Sequence, residues 1–318
     1  MGLTASRPPL LAALLLLAAA AAAADGDFPE RIEFAEDGWC VWCPAPFGWR
    51  GGDYLFYSRW PQSRGFRAWV TDSEIALAKL GPDGRYRHVK TVLSAPGRCY
   101  HNPAVLTADG RLYLYYMGTG GGPGDDWWAW RNRQNVYVTS CETPEGDWKP
   151  AERPLFDTAA LGVAMCSNPT VYRLDDGAYA MLYKYVEKLR PAPFYGPVRI
   201  GIARAAAPDG PFVPFRPDAF ARTGSDFPCE DTFVWKEDGL FRCLVHDMGT
   251  NYSPSPKSLI RFTSANGLDW TNPEPYRTKG GFDRLERPCV YRRRLFMAVK
   301  PGAADARSLI LAEPLPGP

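Results

Sequence analysis

The sequence predicts an all-β fold, a five-bladed β-propeller of four-stranded antiparallel blades. Three observations carry this. A short phrase recurs five times, as Cys43-Pro44, Asn102-Pro103, Asn168-Pro169, Asp231-Thr232 and Arg287-Pro288, at steps of 59, 66, 63 and 56 residues. Each copy is followed by an aromatic-rich apolar run, and that run by an alternating one. Self-similarity at a fixed long period is the mark of a repeat architecture, and units made of strands rather than helices point to propeller blades.

Within each unit the first strand is the anchor phrase itself. The second comprises YLFYSRW from Tyr54, RLYLYYMG from Arg111, AYAMLYKYV from Ala178, LFRCLVHDMG from Leu240 and RLFMAVKPG from Arg294. Asp109-Gly110, Asp176-Gly177 and Asp238-Gly239 precede three of these runs, and Asp-Gly between apolar runs is a hairpin signal. Third strands are expected from Ser73, Asn135, Val198, Ser258 and Ser308. Fourth strands are expected after the turns at Gly84, Gly146, Gly210 and Gly267. The fifth unit has no fourth strand of its own. The alternating segment FPERIEFAEDG from Phe28 is expected to supply it, closing the ring and hiding the edges that would otherwise template aggregation.

Residues 1–24 read as a signal peptide: Arg7, then a Leu/Ala run from Leu10 to Ala24, with small residues before Asp25. Residues 25–318 form the propeller domain. The run is short for a membrane span, so the mature protein is expected to be secreted or periplasmic, without a membrane attachment after cleavage. A net charge of +2 and the absence of a basic run argue against nucleic acid as a partner. Five of the eight cysteines flank the anchors, where small apolar side chains suit a crowded axis, so buried thiols are expected rather than a disulfide framework. Cys40 and Cys43 form the only C-x-x-C, and on a strand they face opposite sides, which argues against zinc. Neither metal nor cofactor is expected.

The inner strands of a propeller begin around one axis, so the five anchors converge into one polar cluster. It contains Trp42, His101, Asn102, Asn168, Glu230, Asp231, Glu286 and Arg287. Buried charges are costly unless paired, and a pocket explains them better than a packed core. The ends of the second strands add Arg59, Trp60, Lys184, His246, Asp247 and Lys300. Sugar chemistry uses such a set: one carboxylic acid protonates the leaving oxygen, and a second carboxylate acts at the other ring face. Tryptophan stacks on the apolar sugar face, while amides, Arg and His bind hydroxyls. Glu230, Asp231 and Glu286 are the candidate catalytic carboxylates. Glu230 is expected as the acid, its pKa raised by Asp231 beside it. The Gly-rich then Trp-rich loop from Gly118 to Asn135 reads either as a substrate wall with Trp127, Trp128 and Trp130 or as an ordinary blade loop.

The phrases Trp42-Cys43-Pro44, Ser58-Arg59-Trp60, His101-Asn102-Pro103, Asn168-Pro169, Glu230-Asp231 and Leu285-Glu286-Arg287-Pro288 resemble those of the five-bladed propeller glycoside hydrolases. These include families 43, 32 and 117. A bacterial group, some of whose members are labelled sucrase, shows the same phrases in the same order. The resemblance spans the chain from about Phe28 onward and implies a carbohydrate as the partner. Families 43 and 32 place a catalytic Asp at the first anchor, a supporting Asp at a middle anchor and the acid Glu at the fourth. Glu230 matches the last of these. Cys43 and Asn168 stand where carboxylates are implied, so either another carboxylate serves or the propeller binds sugar without cleaving it.

Overall fold

The computed structural model describes residues 32–254, 258–276, 285–299 and 308–315. The proposed signal peptide and Lys300 lie outside them. The described chain forms five antiparallel sheets. A short strand β1 (Ile32–Phe34) comes first. Blade one follows with β2 (Trp39–Trp49), β3 (Gly52–Pro61), β4 (Glu74–Leu80) and β5 (Tyr86–Leu93). Blade two has β6 (Arg98–Ala108), β7 (Arg111–Gly120) and β8 (Asn135–Cys141). Blade three has β9 (Val163–Arg173), β10 (Tyr179–Glu187), β11 (Val198–Ala205) and β12 (Val213–Arg216). Blade four has β13 (Cys229–Glu237), β14 (Leu240–Asp247), β15 (Leu259–Ser264) and β16 (Thr271–Tyr276). Blade five has β17 (Leu285–Tyr291), β18 (Arg294–Val299) and β19 (Leu309–Pro314). Strand β1 completes blade five as its outer strand, pairing Glu33 with Leu311, as the alternation of its sequence predicts.

Blade two departs from expectation. The segment after Gly146 forms no strand, and the sheet has three. Pro150 and Pro154 remove two ladder donors. Instead Trp148 turns inward, packs edge-on against Phe56 with centroids 5.4 Å apart, and donates its indole N–H to the Pro144 carbonyl.

The apolar side chains are distributed between blades rather than gathered in one centre. Phe56, Leu77, Leu114 and Tyr116 join blades one and two, and Tyr115, Val136, Met181 and Ala203 join blades two and three. Leu182, Ile202, Cys243 and Phe262 join blades three and four. Leu244 and Met297 join blades four and five, and Phe296, Ile310, Leu55 and Ala76 close five onto one. Each fully buried large side chain contributes about 1.5–3 kcal/mol. All eight cysteines are thiols, seven of them buried.

All five inner strands carry the same defect at the same place. Register jumps from Trp42 to Ala45, His101 to Ala104, Ser167 to Thr170, Glu230 to Phe233 and Glu286 to Cys289. Two residues there face one on the partner strand, which is a β-bulge. The first bulge residue is left-handed in every blade: Cys43 (φ 52°), Asn102 (52°), Asn168 (50°), Asp231 (58°) and Arg287 (56°). Asn and Asp tolerate this region, whereas Cys and Arg are strained in it. Proline, which offers no N–H, fits the second bulge position in four blades because the bulge leaves that position without a ladder partner.

Candidate active site

The bulges turn the anchor side chains toward the axis, where they join. The Cys43 thiol donates to Asn102 Oδ1 (2.6 Å), Asn102 Nδ2 to Asn168 Oδ1 (2.5 Å), and Asn168 Nδ2 to Asp231 Oδ1 (2.7 Å). Arg287 Nη1 lies 3.9 Å from Asp231, and its Nη2 donates to the carbonyls of Asn102 and Pro169. One residue from each of the five blades thus contributes to a polar ring around the axis, hydrogen-bonded side chain to side chain from Cys43 to Asp231.

Above the ring lies a cavity of about 220 Å³, lined by Trp42, Trp60, Phe66, Trp69, His101, Asn102, Asn168, Lys184, Glu230, Asp231 and Glu286. The residue just before each bulge faces it in blades one, two, four and five. Side chains on the same sheet face of the next strand then support that wall. Lys184 stands opposite Ser167 in register, and His246 opposite Glu230. From blade three, Lys184 Nζ reaches Glu230 Oε2 at 2.9 Å.

These contacts set the protonation of the three carboxylates apart. Burial pushes Glu230 up, but the charge and hydrogen bond of Lys184 outweigh it and hold the carboxyl below its usual range. Burial, then the Glu230 charge, raises Asp231. Burial, followed by the charges of Glu230 and Asp231, pushes Glu286 up to about 8. His101 is pulled down to about 3 by burial and by the Arg287 and Lys184 charges, so it is a neutral imidazole. Its Nδ1 shares a 2.8 Å hydrogen bond with Ser73, and its ring stacks on Trp69 at 5.1 Å. Burial likewise drives the Cys43 thiol well above its ordinary value, so no thiolate forms there.

Nine of the sequence-derived residues therefore surround one cavity: Trp42, Trp60, His101, Asn102, Asn168, Lys184, Glu230, Asp231 and Glu286. Arg287 sits beneath them and borders a second axial cavity of about 170 Å³ on the opposite side. His246 is buried behind Glu230 with both ring nitrogens unpartnered. Arg59 is not brought to the pocket. It is a neighbour of Trp60 and points to the other sheet face, where it pairs with Glu36 and Glu74 and covers Trp39 at 4.1 Å. Asp247 is also engaged elsewhere. Its carboxylate accepts from the backbone amides of Gly249, Asn251, Tyr252 and Ser253, fixing the turn after β14.

Phe66 and Trp69 line the pocket without having been expected there. They come from the insertion between β3 and β4, which holds two single-turn 3₁₀ segments and a helix α1 (Trp69–Asp72). The cluster of Phe66 and Trp69 in QSRGFRAWVTDS was the available signal. The Trp-rich loop forms a helix α2 (Trp127–Arg131), capped by Asp126. Trp127 meets Trp69 edge-on at 6.0 Å, while Trp130 packs inward with Val70, Cys99 and Met117.

Among the described residues, Glu230, Asp231 and His246 present ligand-type atoms within 4.8 Å of one another and are the set that could hold a metal ion. The Lys184 ammonium already supplies positive charge to that cluster.

No protein-family model matches the chain, and no curated protein matches it. Solved structures do. One titled as a glycoside hydrolase is 14% identical with a TM-score of 0.67, covering 98% of this chain and 96% of its own. Zg3597, a family 117 glycoside hydrolase of the marine bacterium Zobellia galactanivorans, is 14% identical with a TM-score of 0.63, covering 91% and 92%. The GH43_1 enzyme of Xanthomonas citri, complexed with xylose, is 15% identical with a TM-score of 0.59, covering 89% and 90%. At this identity the likeness is one of fold. In fold, the chain is a five-bladed β-propeller of the kind found in the glycoside hydrolases of families 43 and 117.

Proposed function

We propose that the protein is a glycoside hydrolase that cleaves an oligo- or polysaccharide in the axial pocket, with Glu286 as proton donor and Glu230 as the working carboxylate. The observation that carries this is the placing of two carboxylates on one cavity, with the Lys184 ammonium 2.9 Å from Glu230 and no cation paired with Glu286 among the described residues. Glu230 is kept ionised by Lys184. Glu286, with a pKa of about 8, keeps its proton at neutral pH. Two titratable groups pushed apart in this way divide acid and base roles. This reading gives the acid role to Glu286 where the sequence led to Glu230, because the Lys184 ammonium faces Glu230.

In this mechanism the Glu286 proton passes to the glycosidic oxygen as the bond to the anomeric carbon breaks. Glu230 acts on that carbon from the other side, either directly or through a water it deprotonates. Trp42, Trp60, Phe66 and Trp69 give the sugar an apolar wall, and His101, Asn102 and Asn168 offer hydrogen bonds to hydroxyls. Cys43 and Asn168 take no part as bases, and Asp231, though it lines the cavity, is tied into the ring by Asn168. The leader-like residues 1–24 support action outside the cytoplasm.

The test is reducing-sugar release from a panel of plant and algal oligosaccharides by wild type, Glu286→Gln and Glu230→Gln. Losses of roughly 10²–10⁴-fold in both variants support the assignment. Oligosaccharide binding without release by the wild type would instead make this a sugar-binding propeller.

A further inference from the structure

Arg131, at the end of α2, is nine-tenths buried at 9% exposure, yet it has no carboxylate partner among the described residues. Its guanidinium carbon lies 5.7 Å from the Trp128 ring and 5.9 Å from the Phe194 ring, and Nη1 donates to Asn132 Oδ1 (2.8 Å). Arg133, two residues on and half exposed, takes both oxygens of Asp125. Charge burial alone would demand the reverse, with the buried arginine paired and the exposed one free. Glu230 is near enough for its charge to be felt at Arg131, but its own partner is Lys184. A second arginine, on the facing insertion, also lies over a tryptophan ring. Arg67 is exposed, lies 5.1 Å over the Trp127 ring, and likewise has no carboxylate partner among the described residues. Trp127 and Trp128 are in contact, and Trp127 leads through Trp69 to the cavity wall.

We propose that Arg131, with Arg67 on the facing insertion, forms an anion-reading subsite next to the axial pocket, so that the glycan bound there carries a carboxylate or sulfate group. A guanidinium presents paired N–H donors that match the oxygens of either group, and flanking aromatic faces hold it in place while leaving those donors for a ligand. The same tryptophans offer stacking to the sugar that bears the charge. The proposal rests on the carbohydrate reading of the pocket but needs only binding, not turnover.

Isothermal titration of the full chain separates the possibilities. The ligands are oligogalacturonate, a sulfated galactan oligosaccharide and a neutral galactan oligosaccharide of equal length, at low salt. At least one anionic ligand is expected to bind roughly ten- to a hundred-fold more tightly than the neutral one. Arg131→Gln should abolish that preference and leave neutral binding unchanged, Arg131→Lys should keep part of it, and Arg67→Gln should remove a smaller, salt-sensitive part. The ligand that shows the preference identifies the group as carboxylate or sulfate. Equal binding of charged and neutral ligands by the wild type, or equal weakening of both in the arginine variants, would overturn the subsite. If Arg131→Gln does not fold, Arg131→Lys and Arg67→Gln decide it. Repeating the titration with Glu286→Gln separates this subsite from the catalytic assignment, because only the latter fails if release is absent while anion preference persists.

Discussion

Lys184 and Glu230 belong to different blades, yet their charged ends meet at 2.9 Å with side chains only 13% and 14% exposed. Neither blade could hold this pair alone. The bulge that follows Glu230 and the strand position of Lys184 opposite Ser167 bring the two together.

Lys184→Met leaves Glu230 buried without its ammonium. The Glu230 pKa should then rise, because burial and the nearby Asp231 charge both favour its neutral form. The acidic limb of a kcat/KM profile should shift to higher pH. Stability at neutral pH should drop by about 2–4 kcal/mol, read by denaturant unfolding. An unshifted limb would show that Lys184 does not set the ionisation of Glu230.

Glu286 must be protonated to donate. Activity should therefore fall as pH rises through about 8, and that basic limb should be absent from the residual activity of Glu286→Gln. The same group has a stability signature. Its folded pKa is raised above its unfolded value, so between about 4.5 and 8 the folded state binds more protons than the unfolded one. Stability contributed by the protonated form is complete below the unfolded pKa and is lost as pH rises through the folded one. Glu286→Gln should flatten this slope and, at pH 8, make the protein more stable than wild type by about 1–3 kcal/mol.

At the first anchor, Cys43→Asp should not create a base. The thiol donates to Asn102 Oδ1, and a carboxylate would set acceptor against acceptor at that contact. Turning the Asn102 amide to compensate would break its bond to Asn168. We expect Cys43→Asp to lose about 1–3 kcal/mol and gain no activity, whereas Cys43→Ser, which keeps a donor, should stay close to wild type. Thermal unfolding and reducing-sugar release measure both.

Asp247→Ala should act on the turn after β14 rather than on binding. Four backbone amides lose their acceptor at once. Amide exchange across residues 248–253 should accelerate, and global stability should fall by about 2–4 kcal/mol. Affinity for oligosaccharide should be unaffected.

The ring and its pocket were legible in the sequence because each blade repeats one defect with one kind of residue. Cys-Pro, Asn-Pro and Arg-Pro mark the left-handed position and the missing ladder donor together, and Asp-Thr marks the former. What sequence could not separate was the side of the strand. Trp60 and Arg59, or His246 and Asp247, are adjacent in the chain, but alternate side chains leave opposite faces. Only the outcome of pairing shows which one meets the pocket. The fourth strand of blade two was overread because Trp148 and Phe156 suggest a strand, while Pro150 and Pro154 veto its hydrogen bonds. Phe66 and Trp69 were missed because they lie in a connection between strands, outside the strand phrases that repeat from blade to blade.

Strand β1 pairs only with β19, nearly the whole chain away. During synthesis the first strand therefore has no partner until the last has emerged. Four blades can assemble locally, hairpin by hairpin, but the fifth cannot be completed early. Completion depends on one long-range pairing, whose loop-closure entropy makes it the slow, late event. Until then β19 presents an open edge, and the interval in which the chain is vulnerable to aggregation ends with a three-residue strand.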